Sequence, residues 1–207
     1  IICPGVIRSF SEWWLLQKLG KGMKESKLYL WTHGWYGKES CWQKNIKKFF
    51  FRKVDGFFLY GDYARNEMIK EGFDASKLHV IKNSLDYDKQ LELRNNIVAS
   101  NVYKEHFKND NPTIIFIGRL TPVKKLDQIV GAVGILKQKG ENYNIVFVGD
   151  GEIRQSLEVE VVKHQLQDNV WFYGSCFDEK INAELIYNAD LCVAPGNIGL
   201  TAMHVLM

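Results

Sequence analysis

The stretch Thr113-Ile114-Ile115-Phe116-Ile117-Gly118-Arg119-Leu120-Thr121-Pro122-Val123-Lys124-Lys125, read with the segment that follows it, decides the fold. Thr113–Ile117 is a short β-branched run without in–out alternation, which predicts a strand covered on both faces. Leu126, Ile129, Val130, Val133 and Leu136 then recur at helical spacing until Gly140 ends the repeat. The same unit returns downstream. Asn144–Val148 predicts a strand, about Glu152 to His164 a helix and Val170–Tyr173 a strand. Asp178–Tyr187 predicts a helix and Leu191–Ala194 a strand, ahead of a last helical stretch. Strands alternating with helices of about ten to fifteen residues imply parallel β-α-β units in a doubly wound sheet.

Upstream the pattern is similar but weaker. Ser9 and Glu12 have capping-box spacing ahead of a Trp13/Trp14/Leu15 helix that Gly20 ends. Leu28–Trp31, Phe57–Tyr60 and Leu78–Ile81 predict strands, and Asp62 predicts the cap of a helix terminated at Gly72. Asp86 to Asn111 is polar, with helical spacing and a thin apolar stripe. It sets the expected organisation: 1–88 one domain, 89–111 a linker helix, 112–207 a second domain. Ile1-Ile2-Cys3-Pro4-Gly5 reads as the end of a buried strand, without the pattern of a signal peptide. Leu200 to Met207 runs out with no helix terminator. Both domains are therefore expected to be truncated, the chain being an interior piece of a longer one; the alternative is a compact domain with frayed ends.

The 207 residues, 46% hydrophobic and 25% charged, carry enough apolar mass for a globular core. No apolar run approaches the ~18 residues that span a bilayer. Cys3, Cys41, Cys176 and Cys192 form no C-x-x-C pair, so neither a zinc ribbon nor a disulfide scaffold is indicated. They read as reduced, mostly buried thiols of a cytoplasmic protein. The net charge of +3 hides an asymmetry: residues 1–53 carry eleven Lys/Arg against three Asp/Glu, and residues 109–207 eight against twelve. A basic front half points to an anionic membrane surface, nucleic acid or a phosphorylated substrate. Lys44 to Lys53 mixes cations and aromatics at helical spacing, which fits a membrane-facing helix or a solvated one with a buried aromatic side. Nucleic acid is disfavoured, because no reader motif accompanies the charge.

Three segments carry chemistry. In the first, Arg119 and Lys124 flank a Pro-containing turn just past Gly118, at the carboxyl end of a strand where open α/β folds bind ligands. A guanidinium fork with an ammonium point charge suits a diphosphate; two solvated loop cations fit the same residues. In the second, Val148-Gly149-Asp150-Gly151 is a strand running into a glycine turn. Arg154 stands where a dinucleotide fingerprint needs its third glycine, and a plain tight turn is the alternative. In the third, Ala194-Pro195-Gly196-Asn197-Ile198-Gly199-Leu200-Thr201-Ala202-Met203-His204 places two glycines ahead of a helix start, which lets backbone approach a phosphate. His204 lies one turn in; by itself it is as compatible with a packed or surface histidine.

Taken in order, these segments resemble retaining glycosyltransferases of family four, which have the GT-B fold of two Rossmann-like domains. The matching elements are Gly118-Arg119-Leu120 with Lys124, Val148-Gly149-Asp150-Gly151, Phe172-Tyr173-Gly174, Ala189-Asp190 with Pro195, and Gly199-Leu200. Thr32-His33-Gly34 and Val80-Ile81-Lys82-Asn83-Ser84-Leu85-Asp86 resemble the family's front-half motifs. The resemblance implies that Arg119 and Lys124 grip the diphosphate of a nucleotide-sugar donor and stabilise the leaving group. It implies that the Gly199-Leu200-Thr201 amides bind the same phosphates and that the Phe172–Phe177 turn holds the base through its backbone. It further implies that His33 reaches the donor sugar, that no metal or other cofactor is required, and that the acceptor is a glycan or lipid-linked hydroxyl. The chain departs from the pattern where the family commonly has two glutamates: Gly196 and His204 stand there, and Lys82 replaces the usual proline. His204 retains ring nitrogens able to bond a ribose hydroxyl. Two alternatives accompany this reading, a nucleotide-sugar-binding module without catalysis and an NAD-dependent oxidoreductase, the latter disfavoured by the broken fingerprint.

Overall fold

The structure, a computed structural model, describes residues 1–5, 14, 18, 26–35, 39–82, 85–199 and 201–206. The Ser9/Glu12 cap, the helix expected from Trp13 to Leu15, Asn83, Ser84 and Leu200 lie outside the described residues. The chain divides into two units, Ile1–Asn83 and Ser84–Met207.

In the first unit, β1 (Ile2–Pro4), β2 (Tyr29–Thr32), β3 (Gly56–Leu59) and β4 (Leu78–Val80) pair in parallel in that order. Leu30, Phe57, Leu59 and Leu78 share a core with Trp35, Phe50, Phe51 and Met68, the residues that α1 (Cys41–Phe51), α2 (Asp62–Lys70) and the turn after β2 bring to the sheet. A capping box between Ser40 and Gln43 starts α1. Asp62 is the first residue of α2; Gly61 holds the cap position and makes no side-chain bond.

The basic segment is largely α1 itself. Lys44 and Lys48 both pair with Glu71 at 2.7 Å, and Lys47 pairs with Glu39 at 2.7 Å. Hydrogen bonds from Lys44 and Lys48 hold the Glu71 carboxyl below its ordinary range. Three of its cations are thus paired in place with two carboxylates between them, while Trp42 and Phe49 remain exposed.

The second unit contains β5 (Thr113–Ile117), β6 (Asn144–Val148), β7 (Val170–Gly174) and β8 (Leu191–Cys192), parallel in the order β7-β6-β5-β8. Its helices are α3 (Tyr87–Asn96), α4 (Val102–Phe107), α5 (Asp127–Gln138), α6 (Arg154–Lys163), α7 (Glu179–Asn188) and α8 (Thr201–Leu206). Every residue of β6 is buried, as a strand covered on both faces requires. Ile114, Phe116, Ile145 and Phe147 pack against Ile129, Val130 and Val133 of α5 and Leu157 and Val161 of α6. Ile115, Val146 and Val148 face Tyr103 of α4 and Leu185 of α7. The chain steps from β5 to β6 to β7 in one direction and returns to place β8 on the other side of β5. The reversal creates a topological switch point between β5 and β8, at whose carboxyl end ligands of such sheets bind.

Residues 89–111 are two helices docked on this unit rather than one linker helix. Gln90 donates to Glu179 at 3.1 Å, the Ser100 amide to Asn188 at 2.8 Å, and the buried Tyr103 hydroxyl to the Leu185 carbonyl. The division accordingly falls at Asn83/Ser84, before α3. All four cysteines are free thiols. Cys3, Cys176 and Cys192 are half-buried and Cys41 is exposed, so the expected burial is not found. Among the described residues, no helix is long and apolar enough to cross a membrane.

Candidate functional site

Three glycines close the carboxyl ends of adjacent strands. Gly118, Gly149 and Gly174 have φ of +144°, +139° and +89°, conformations L side chains rarely adopt. The Gly118 amide donates to the Val148 carbonyl at 2.9 Å and the Gly149 amide to the Gly174 carbonyl at 2.7 Å. A Cβ on Gly149 would stand 2.0 Å from the Gly118 carbonyl oxygen, and one on Gly151 would stand 2.3 Å from that of Leu120. The result is a strip of bare backbone running across the ends of β5, β6 and β7.

The strip meets a cation at the switch point. Pro122–Lys124 is a single 3-10 turn, and the Lys124 ammonium donates to the Asn197 carbonyl. The Gly196 amide bonds the Lys124 carbonyl at 3.1 Å and the Asn197 amide the Val123 carbonyl at 3.1 Å. The Thr201 hydroxyl donates to the Ile117 carbonyl at 2.6 Å. These bonds stitch the loop before α8 to the loop after β5 so closely that a Cβ on Gly196 would lie 2.1 Å from the Val123 oxygen. A glutamate there would require the two loops to part. Gly199, with φ of +60°, lies beside the Lys124 ammonium.

The structure thus brings together Gly118, Lys124, Gly149, Gly151, Gly174, Gly196, Asn197, Gly199 and Thr201. Arg119 lies on the same loop, but its side chain is exposed. The Phe172 ring is partly buried against the core, stacked 5.4 Å from Phe147. His204 lines a separate cavity of about 390 Å³ with Gln90, Leu93, Tyr187, Asp190 and Cys192. His33 is in the first unit, at the end of β2, its ring 4.5 Å from that of Tyr60.

Sequence reasoning missed the surroundings of Arg154. Its guanidinium pairs with Glu158 at 3.0 Å and Asp150 at 3.5 Å and lies 5.6 Å from the Phe172 ring centroid. The signal was present in the i, i+4 spacing of Asp150, Arg154 and Glu158. No group of three His, Cys, Asp or Glu that could hold a metal ion occurs among the described residues.

A doubly wound parallel unit with bare glycine turns and a lysine at its switch point is a Rossmann-like architecture. The sequence profile of the family described as Glycosyl transferases group 1 matches residues 100–204, half of the chain, and the chain belongs to that family. It is 27% identical over 168 residues to an uncharacterized glycosyltransferase of Methanocaldococcus jannaschii, covering 77% of this chain and 41% of that protein. It is 25% identical over 145 residues to the alpha-D-kanosaminyltransferase of Streptomyces kanamyceticus, covering 70% and 37%. The chain therefore spans about two fifths of the length of these curated relatives. Among solved structures, Anabaena HepE in complex with UDP matches with a TM-score of 0.63 at 14% identity, over 94% of this chain and 60% of that one. The fold is α/β of the GT-B class, built from Rossmann-like units.

Proposed function

We propose that the protein to which this chain belongs is a retaining glycosyltransferase. It moves a sugar from a nucleotide-diphosphate donor to a hydroxyl of a glycan or lipid-linked acceptor, in the building of a bacterial surface polysaccharide. The observation that carries this reading is the Lys124 ammonium, bonded to the Asn197 carbonyl beside Gly199, on the loop that follows Gly118 at the β5/β8 switch point. It supplies fixed positive charge where a diphosphate would lie, and Arg119, on the same loop, adds a movable fork. The solved neighbour bound to UDP supports the same class of donor.

In this reading the acceptor oxygen bonds the anomeric carbon on the face from which the diphosphate departs. The carbon–phosphate oxygen bond breaks, and the acceptor's proton passes to the leaving phosphate. Lys124 and Arg119 stabilise the charge that develops there. No metal is needed for that neutralisation. A lipid-linked acceptor would bring an anionic membrane surface with it, and Phe49, Arg52 and Lys53 are exposed residues of the 44–53 segment that would meet it. The test is donor consumption by the full-length protein. Arg119→Ala and Lys124→Ala should each lower turnover by about 10²–10³, and near-normal turnover by both would overturn the assignment.

A second reading, a donor-binding module without catalysis, draws on the lack of room at Gly196 and on His204 lining another cavity. Calorimetric donor binding with neither transfer nor hydrolysis would favour it.

A further inference from the structure

The parallel ladder between β5 and β8 stops at a proline. The Val193 amide donates to the Ile115 carbonyl at 3.0 Å. Acceptors along one edge of a strand recur every second residue, so the Ile117 carbonyl comes next and residue 195 is the donor the ladder would use. That residue is Pro195, which has no N–H. The Thr201 hydroxyl donates to the Ile117 carbonyl instead, at 2.6 Å. Thr201 is only 6% exposed. Valine has the same shape and would fill the same space, so what threonine adds at this position is the bond.

That bond closes a frame around the lysine. One side of the frame is the chain from Ile117 to Lys124, the other the chain from Gly196 to Thr201. The Gly196 and Asn197 amides tie the two sides at the Lys124 and Val123 carbonyls, each at 3.1 Å. Thr201 ties them at Ile117. The Lys124 ammonium reaches across to the Asn197 carbonyl, and a Cβ on Gly199 would lie 3.5 Å from its Nζ. With the Thr201 tie cut, the Asn197 carbonyl is no longer held from both sides. An ammonium on a flexible stem keeps its direction only while its acceptor keeps its place.

We propose that Thr201 is a positioning residue: its hydroxyl holds the loop before α8 against the end of β5 and so, through the Asn197 carbonyl, fixes the Lys124 ammonium for the diphosphate of the donor. This rests on the donor reading given above and adds to it a role for the hydroxyl, distinct from that of the Thr201 amide.

Calorimetric titration of the whole chain with UDP, GDP and inorganic pyrophosphate tests it, in the parent, Thr201→Val and Thr201→Ser, at about 0.05 and about 0.3 M KCl. At low salt Thr201→Val should weaken pyrophosphate and the tighter-binding nucleotide about tenfold, the worth of one lost hydrogen bond. Thr201→Ser, which keeps the hydroxyl, should bind as the parent does. The affinities of Thr201→Val should also fall less steeply with salt, because a lysine no longer aimed at the diphosphate leaves less attraction to screen. Parent-like binding by Thr201→Val would overturn the proposal, and so would equal losses in the valine and serine variants. Weakening that keeps the parent's full salt dependence would overturn it too, since Thr201 would then only support the fold. Failure of the parent to bind either nucleotide would sink the donor reading and this proposal with it.

Discussion

Replacing Gly149 by alanine is the sharpest test of the strand-end architecture. The new Cβ would stand 2.0 Å from the Gly118 carbonyl oxygen and 2.9 Å from its carbon, at a φ of +139°. Holding a non-glycine residue in that conformation costs about 1–3 kcal/mol. Clearing the overlap requires one strand end to move by more than an ångström. That would break the Gly149–Gly174 bond or the Gly118–Val148 bond, each contributing about 1 kcal/mol. The expected loss is ~2–4 kcal/mol, or roughly a 10 °C fall in Tm for a unit of this size. Gly131, inside α5 with no atom near its would-be Cβ, is the matched control. Gly131→Ala should raise stability by about 0.5–1 kcal/mol through helix propensity. Thermal unfolding followed by circular dichroism reads both variants. A Gly149→Ala chain as stable as its parent would refute the close approach of β5 and β6 at the site.

Three further outcomes are expected. Tyr103→Phe leaves the buried Leu185 carbonyl without its donor and should cost about 1–2 kcal/mol in urea unfolding; no change would mean that α4 does not dock on the second unit. The His106 ring stacks 3.8 Å from Trp171, and burial, aided by Lys108, lowers its pKa from the ordinary value of 6.5. The unfolded chain therefore takes up this proton more readily. The associated stability is present above pH 6.5 and is lost as pH falls toward the lower folded value. Melts at pH 7.5 and 5.5 should show a smaller acid-induced drop for His106→Phe than for the parent, and identical drops would contradict the assignment. Gly196→Glu should not improve donor binding, because the Val123 carbonyl occupies the space a Cβ needs; a gain in calorimetric affinity would show that the two loops part easily.

The β5 and β6 boundaries were readable in the sequence, because apolar β-branched runs bounded by turn residues leave little freedom in where a doubly covered strand begins and ends. The predicted β8 extends only to Cys192, although the Val193 amide still bonds Ile115. Asp62 looked like a cap because aspartate favours that position, but the chain enters α2 one residue earlier. Residues 89–111 looked like a linker because their apolar stripe is thin, and one buried tyrosine, Tyr103, supplies much of the anchoring. At the site, the glycine turns were legible as turns. Their mutual distances were not, since the Gly196–Val123 and Gly149–Gly118 approaches arise from residues far apart in sequence.

The claim on which the account rests, that a nucleotide diphosphate lies along the glycine strip with its phosphates at Lys124, is most directly tested by following backbone amide resonances during titration with UDP. The account predicts saturable shifts at Gly118, Gly149, Gly174, Asn197 and Gly199, abolished in Lys124→Met. Shifts confined to residues around the Gln90–His204 cavity, or unchanged by the lysine substitution, would contradict it.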